Sequence, residues 1–332
     1  MINEKRNHHF VSQAEQRLNA IDPSISKKNQ RIYAFSITDR ENYQISLEAP
    51  AGTKIKETLS FDDLFTIDIL DDRLRVNLED YFSSYEQDVS ILTQSLLLKL
   101  KSGNQDIEKE IINIFAMKLI NSFRNPFCIE KTLNTIGNLA NYYPSDENLK
   151  DIYNRIESGN QASLKEFANN LSVTEEQYRK WMKSLFMLLV PKGTQGTNLV
   201  DMMIKEFFEN TEQYINVYIH IYSGSEESKH SLLSDRGFTL LTDQGEHLAY
   251  EFNLTSNAFI SYIFTDITEK AGIDQLGKNV IERILRIESK KPSKVNIHFC
   301  ENNLEALSRY NKNVVYQSRE NVYCKSKVIY GL

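Results

Sequence analysis

A chain of 332 residues that is 41% hydrophobic, 25% charged and 11% aromatic has the apolar material for a sizeable core, which excludes a mainly disordered protein. Its 12 glycines and 6 prolines exclude collagen-like and low-complexity architectures and favour long helices with few tight turns. A formal net charge of −6 gives no global attraction for phosphate backbones, so nucleic acid would need a local basic groove.

Along the chain, short apolar stretches broken by polar residues predict strands over 10–11, 31–37 and 43–47, the last ending at Pro50. From Leu78 the period becomes helical. One helix is predicted over 78–101, and a second is marked by Ile107, Ile111, Ile114, Phe115, Leu119 and Phe123 on one face, stopping before Pro126. The break Ser102-Gly103-Asn104 is short enough to fold the two back as an antiparallel pair. Helical texture continues through Trp181, with Thr174 and Gln177 at capping-box spacing and Pro191 past the apolar run 185–189. A shorter helix follows over 198–210. The cleanest strand places Ile215, Val217, Ile219 and Ile221 on a core face, with Tyr214, Asn216, Tyr218, His220 and Tyr222 opposite. That Tyr/His face would pack under a helix or line a pocket. Strands over 248–254 and 258–264 come next, then a helix with Ile273, Leu276, Val280, Ile284 and Ile287 on one side. The sum is an α+β fold in one compact domain over 1–332: a β-rich 1–75, a helical middle 76–212 and an α+β 213–332. With no linker or repeat between them, the N- and C-terminal strands are expected to share a sheet.

The three cysteines, Cys128, Cys300 and Cys324, are odd in number and widely spaced, indicating neither a disulfide framework nor a metal knuckle and fitting a reducing cytoplasm. The charged start lacks an apolar leader segment, and no run approaches a membrane span, so a cytoplasmic protein without membrane insertion is expected. Several patterns fail on their details. Gly193-Thr194-Gln195-Gly196-Thr197-Asn198 lacks the ending of a P-loop, and Asp62, Asp63, Asp68, Asp71 and Asp72 miss the spacing of a calcium loop. No nucleophile elbow, zinc-protease helix or dinucleotide fingerprint occurs.

Three short stretches could carry chemistry. In His8-His9-Phe10-Val11-Ser12-Gln13, two of the six histidines are adjacent, and strand alternation would send them to opposite faces. One could act as general acid or base or bind a metal; the alternative is a hydrogen-bonded strand histidine beside an exposed one. In Asn121-Ser122-Phe123-Arg124-Asn125-Pro126 the guanidinium complements a helix C-terminus, and could equally clamp a phosphate or carboxylate. In Ser234-Asp235-Arg236-Gly237 the carboxylate either projects into a site or closes its own turn.

Taken in order, these segments resemble a mainly bacterial family, domain-of-unknown-function family 4238. The likeness spans the His-His-aromatic-Val start, Arg31-Ile32-Tyr33-Ala34-Phe35, Leu78-Glu79-Asp80 to Tyr85-Glu86, Arg124-Asn125-Pro126, Leu233-Ser234-Asp235, and Asn302-Asn303-Leu304 to Val314-Val315-Tyr316. Ser12 stands where that pattern usually has proline. The resemblance supplies no reaction, but it implies one assembled polar site, with His8, His9 and Asp235 as catalytic candidates and Arg124, Asn303 and Gln13 as substrate-binding ones.

Two functions are expected from that set. The first is a phosphodiester hydrolase, a nuclease in phage defence, with His9 as base or metal ligand and Asp235 as metal ligand or orienter. Arg124 would hold phosphate, Asn303 would fix the substrate, and a divalent metal would be the cofactor. The second is a non-catalytic sensor or interaction module, its partner a protein or another copy, whose polar cluster binds a small anion or staples the N-terminal segment to the C-terminal strands. Convergence of the polar residues in an open cleft would favour the first, and mutual bonding in the interior the second.

Overall fold

The computed structural model describes residues 7–62, 64, 66–68, 75–77, 89–104, 106–158, 164–190, 198–210, 213–224, 229–241, 248–266 and 295–332. The expected helix through Ile273–Ile287, the first part of 78–101 and the loop 193–197 lie outside these residues.

Alternation along the strand β8 (Gln213–Ile221) organises the larger sheet, in the order β10 (Thr239–Leu240), β11 (Leu248–Thr255), β12 (Ala258–Asp266), β8, β13 (Val295–Glu301). All pairs are antiparallel except β13, which runs parallel to β8. Ile215, Val217 and Ile219 are fully buried on the face covered by helices. On that side the Phe115 ring meets the aromatic side chains of Tyr250, Phe252, Tyr262 and Phe264 at 4.9–6.1 Å between centroids. Edge-to-face packing of this kind adds about 0.5–1.5 kcal/mol per pair beyond area burial.

Helix α2 (Val89–Lys101) and helix α3 (Glu108–Arg124) are joined by the expected short turn. Gly103 takes φ +74°, which lets Asn104 return its N–H to the Lys99 carbonyl at 2.9 Å. Glu110, near the start of α3, meets Lys99 at 2.7 Å and Ser95 at 2.9 Å near the end of α2, as an antiparallel pair requires. Four helices follow: α4 (Ile129–Ile136), α5 (Glu147–Ser158), α6 (Leu164–Leu171) and α7 (Glu175–Leu189). The capping box at Thr174 and Gln177 starts α7, and its Trp181 donates to the Phe123 carbonyl at 2.8 Å, satisfying the end of α3. Asn198 and Asp201 cap α8 (Leu199–Glu209) in the same reciprocal way.

The second sheet joins the two ends of the chain. Its order is β3 (Gln44–Leu47), β2 (Arg31–Asp39), β14 (Asn321–Cys324), β9 (Leu233–Ser234), with β4 (Thr53–Lys54) on the start of β2. N- and C-terminal strands therefore do share a sheet, and the fold class is α+β. Helix α9 (Leu304–Gln317) was not legible as a helix; its Leu307, Tyr310 and Val314 share one buried cluster with Phe35 and Val322 of this sheet and Phe259 of the larger one. The start of the chain also differs from expectation. Strand β1 (Asn7–His9) pairs with β5 (Ser60–Asp62), whereas Phe10 and Val11 turn into α1 (Gln13–Arg17). Ser12 caps that helix, its Oγ accepting from Glu15 N at 3.2 Å, with φ −58°, a value proline also adopts. Strands β6 (Thr66–Asp68) and β7 (Arg75–Asn77) form a separate antiparallel pair. Among the described residues no helix is long and apolar enough to cross a membrane.

Candidate functional site

Both N-terminal histidines are buried, His8 at 1% and His9 at 8% exposure, so the sequence alternative of one buried and one exposed histidine does not hold. The His9 ring is saturated. Nδ1 lies 3.0 Å from the Thr58 carbonyl, which can only accept, and Nε2 lies 2.8 Å from the Gln13 amide nitrogen, which can only donate. The proton therefore sits on Nδ1. Arg17 donates to Gln13 Oε1 and fixes the amide's orientation. Burial lowers the His9 pKa from 6.5 to about 4, the Thr58 bond partly opposes this, and the nearby Arg124 charge adds to the fall. Gln16 completes the knot, donating to the Val11 carbonyl at 2.8 Å and accepting from the Thr58 hydroxyl at 2.6 Å.

A second tier ties α1 to α3 and the larger sheet. Lys118 of α3 pairs with the Glu15 carboxylate, both side chains 1% exposed, and donates to the Asn253 carbonyl at 2.7 Å. Asn121 donates to the other Glu15 oxygen at 3.2 Å, and Asn19 to Asn253 Oδ1 at 2.8 Å. Buried charge in an apolar interior is tolerated here because both ions are paired and further hydrogen-bonded.

Arg124 and Asp235 extend the joint to the end of the chain. Arg124 is 0% exposed and donates to the His9 carbonyl at 2.6 Å, and the next residue, Asn125, donates to the Asp235 carbonyl at 2.8 Å. The Asp235 carboxylate accepts three backbone N–H groups, from Arg319 at 2.8 Å, Glu320 at 2.7 Å and Asn321 at 2.9 Å. Burial pushes this acid upward, while the three amides and the adjacent Arg236 charge work against that rise. Gly237 closes the turn at φ +79°, its N–H donating to the Ser234 carbonyl at 3.0 Å.

Of the residues singled out in the sequence, His8, His9, Gln13, Arg124 and Asp235 thus gather around one interior joint. Asn303 does not. It caps α9, its Oδ1 accepting from Ala306 N at 3.0 Å and its carbonyl accepting from the Tyr222 hydroxyl at 2.9 Å.

Beside the joint opens a cavity of about 200 Å³ that sequence reasoning did not locate. Lys131 of α4, Arg236 of the Asp235 turn and Arg319 of the segment bonded to that carboxylate line it, with Ser172 and Glu130. None of the three cations forms a salt bridge with a described carboxylate, and Arg236 Nε is buried with no hydrogen-bond partner among the described residues. The Lys131 pKa is lowered by burial and by the charge of Arg236. The signal in the sequence was only the basic neighbour of Asp235. Lys131 and Arg319 are far apart in the chain, and their meeting depends on Asp235 binding the 319–321 backbone.

Among the described residues no group of three or more His, Cys, Asp or Glu side chains could hold a metal ion. Comparison with known proteins finds no matching family profile, no similar curated protein and no similar solved structure.

Proposed function

We propose that this protein is a non-catalytic anion-binding module, in which a small phosphate-bearing anion occupies the cavity lined by Lys131, Arg236 and Arg319. The observation that carries this reading is the convergence of three cations, with no described carboxylate in salt-bridge contact, on one cavity at the joint of the chain ends. Guanidinium groups match oxyanions geometrically, and an anion would relieve the repulsion that lowers Lys131. Binding would also tighten the joint, since Arg236 and Arg319 flank the buried Asp235 turn. Resemblance to family 4238 supplies no reaction and leaves this reading to stand on the cavity.

Inorganic phosphate and pyrophosphate, titrated into the full chain by calorimetry and followed by thermal unfolding, test it. Saturable binding that weakens with salt, and weakens at least ~10-fold in Arg236→Ala and Lys131→Ala, is the expected result; occupancy at 100 times Kd would stabilise the fold by about 2.7 kcal/mol. Binding that is absent, or equal in both variants, sinks the reading. Labelled RNA and DNA incubated with Mg²⁺, Mn²⁺ or chelator form the second arm. Metal-dependent cleavage that disappears in a still-folded His9→Ala would put the phosphodiester hydrolase first instead.

A further inference from the structure

A second cavity, of about 300 Å³, lies between the larger sheet and α9, separate from the joint and independent of the anion proposed there. Strand register builds its floor. Ser261 of β12 sits opposite Tyr218 of β8, and Cys300 of β13 opposite His220, so the four belong to one sheet face. Asn303, Ala306 and Arg309 form the roof, spaced three apart along α9, and Leu241 and Ile263 supply apolar wall.

Two polar atoms beside this cavity, one on His220 and one on Arg309, have no hydrogen-bond partner among the described residues. His220 is 6% exposed, and its Nδ1 is buried with no hydrogen bond among the described residues. The ring cannot easily turn to find one: it stacks on Phe259 at 4.4 Å and 12°, and Phe259 stacks on Tyr310 at 4.1 Å and 9°. Arg309 donates from Nη2 to the buried Glu251 at 2.9 Å, but its Nε is buried and unpartnered. Ser261 donates to the same Glu251 oxygen at 3.0 Å. A buried imidazole nitrogen and a buried guanidinium Nε left without partners beside a cavity call for an acceptor from outside.

We propose that this cavity binds a small organic carboxylate, whose oxygens take hydrogen bonds from His220 and Arg309 and whose apolar body lies against Leu241, Ile263 and Ala306. Charge selects the class. Glu251 already compensates Arg309, and the imidazole adds at most one positive charge, so a monoanion fits where a phosphate dianion would be left uncompensated. The groups facing His220 are Tyr218 on its own strand and Tyr222 just past its end, Cys300 on β13, Arg309 and Tyr310 on α9, and, behind Arg309, Glu251 on β11. Burial and then the Arg309 charge lower its pKa from 6.5 to about 4, so the empty site holds a neutral ring at neutral pH. The negative charge of a bound carboxylate offsets the Arg309 charge and favours the protonated ring, and binding takes up a proton.

The probes are benzoate and hexanoate, with neutral methyl benzoate and inorganic phosphate for comparison, titrated calorimetrically into the full chain in buffers of different ionisation heat. If the bound ring returns to about its ordinary pKa, affinity rises roughly 10-fold from about pH 7.5 to 5.5, with matching proton uptake and an NMR shift of the His220 ring signal. His220→Gln abolishes the pH dependence while retaining part of the affinity. Ala306→Leu, which fills the cavity with an apolar side chain, abolishes binding. Arg309→Lys keeps a cation against Glu251 but removes the Nε donor, and lowers affinity about 5-fold or more. The proposal is overturned by absence of saturable binding at about 10 mM carboxylate. It is equally overturned by equal affinity for methyl benzoate, by binding without proton uptake, or by unchanged binding in Ala306→Leu.

Discussion

His9 and His220 are buried to a similar degree and both have a pKa near 4, yet they do opposite things. Around His9 each ring nitrogen is bonded, its carbonyl is taken by Arg124, and the partners are themselves held by Arg17, Gln16 and Thr58. Around His220 the ring is fixed by stacking, one nitrogen is left over, and a cavity lies beside it. A depressed pKa alone therefore does not mark a site. Saturated hydrogen bonding marks the staple, and leftover capacity beside a cavity marks the place for a ligand.

Breaking the joint should produce the largest effect. Lys118→Met leaves the Glu15 carboxylate buried without its counter-ion and is expected to cost about 3–5 kcal/mol, measured as a shift in urea midpoint. An unchanged midpoint would mean that the joint is not a structural staple. Acid should come next. Each histidine stays neutral in the folded chain down to about pH 4 but takes up a proton near 6.5 when unfolded, so stability is full above 6.5 and lost as pH falls through that window. The loss is about 3 kcal/mol per histidine at the bottom of the window, and the melting temperature at stepped pH should show it. In His9→Gln about half of that slope should vanish; a slope identical to wild type would mean His9 is not held neutral.

Asp235→Asn should cost about 2 kcal/mol, because an amide oxygen replaces a carboxylate accepting three backbone N–H groups and brings an NH₂ toward the same donors. Equal denaturation curves would place the carboxylate outside the joint's energetics. The smallest effect sharpens the comparison most. His220→Phe should change stability by no more than about 1 kcal/mol in either direction, since among the described residues His220 makes no side-chain hydrogen bond to lose and an unpaired buried nitrogen is removed. A loss of about 3 kcal/mol would instead show that His220 has structural partners like those of His9.

How much of this was legible beforehand follows from the range of each interaction. Local pattern determined β8, where every second residue from Ile215 to Ile219 is fully buried, and α3, whose apolar face ends at Arg124 before Pro126. The capping box at Thr174 was equally legible, because its two hydrogen bonds join residues three apart. The sequence also marked His9, Arg124 and Asp235 as unusual, but not what they do, for apart from the Gln13–His9 bond the partners that fix them lie from 49 to 115 positions away in the chain. Helix α9 escaped for a related reason: Asn311 sits in its buried face and is satisfied by His230 and Tyr330 carbonyls and the Leu232 N–H, contacts that no helical period announces. The His220 cavity depends on β13 lying parallel to β8 and on α9 crossing the Tyr/His face. Periodicity decides which way a side chain points; only the tertiary structure decides whether a partner waits there.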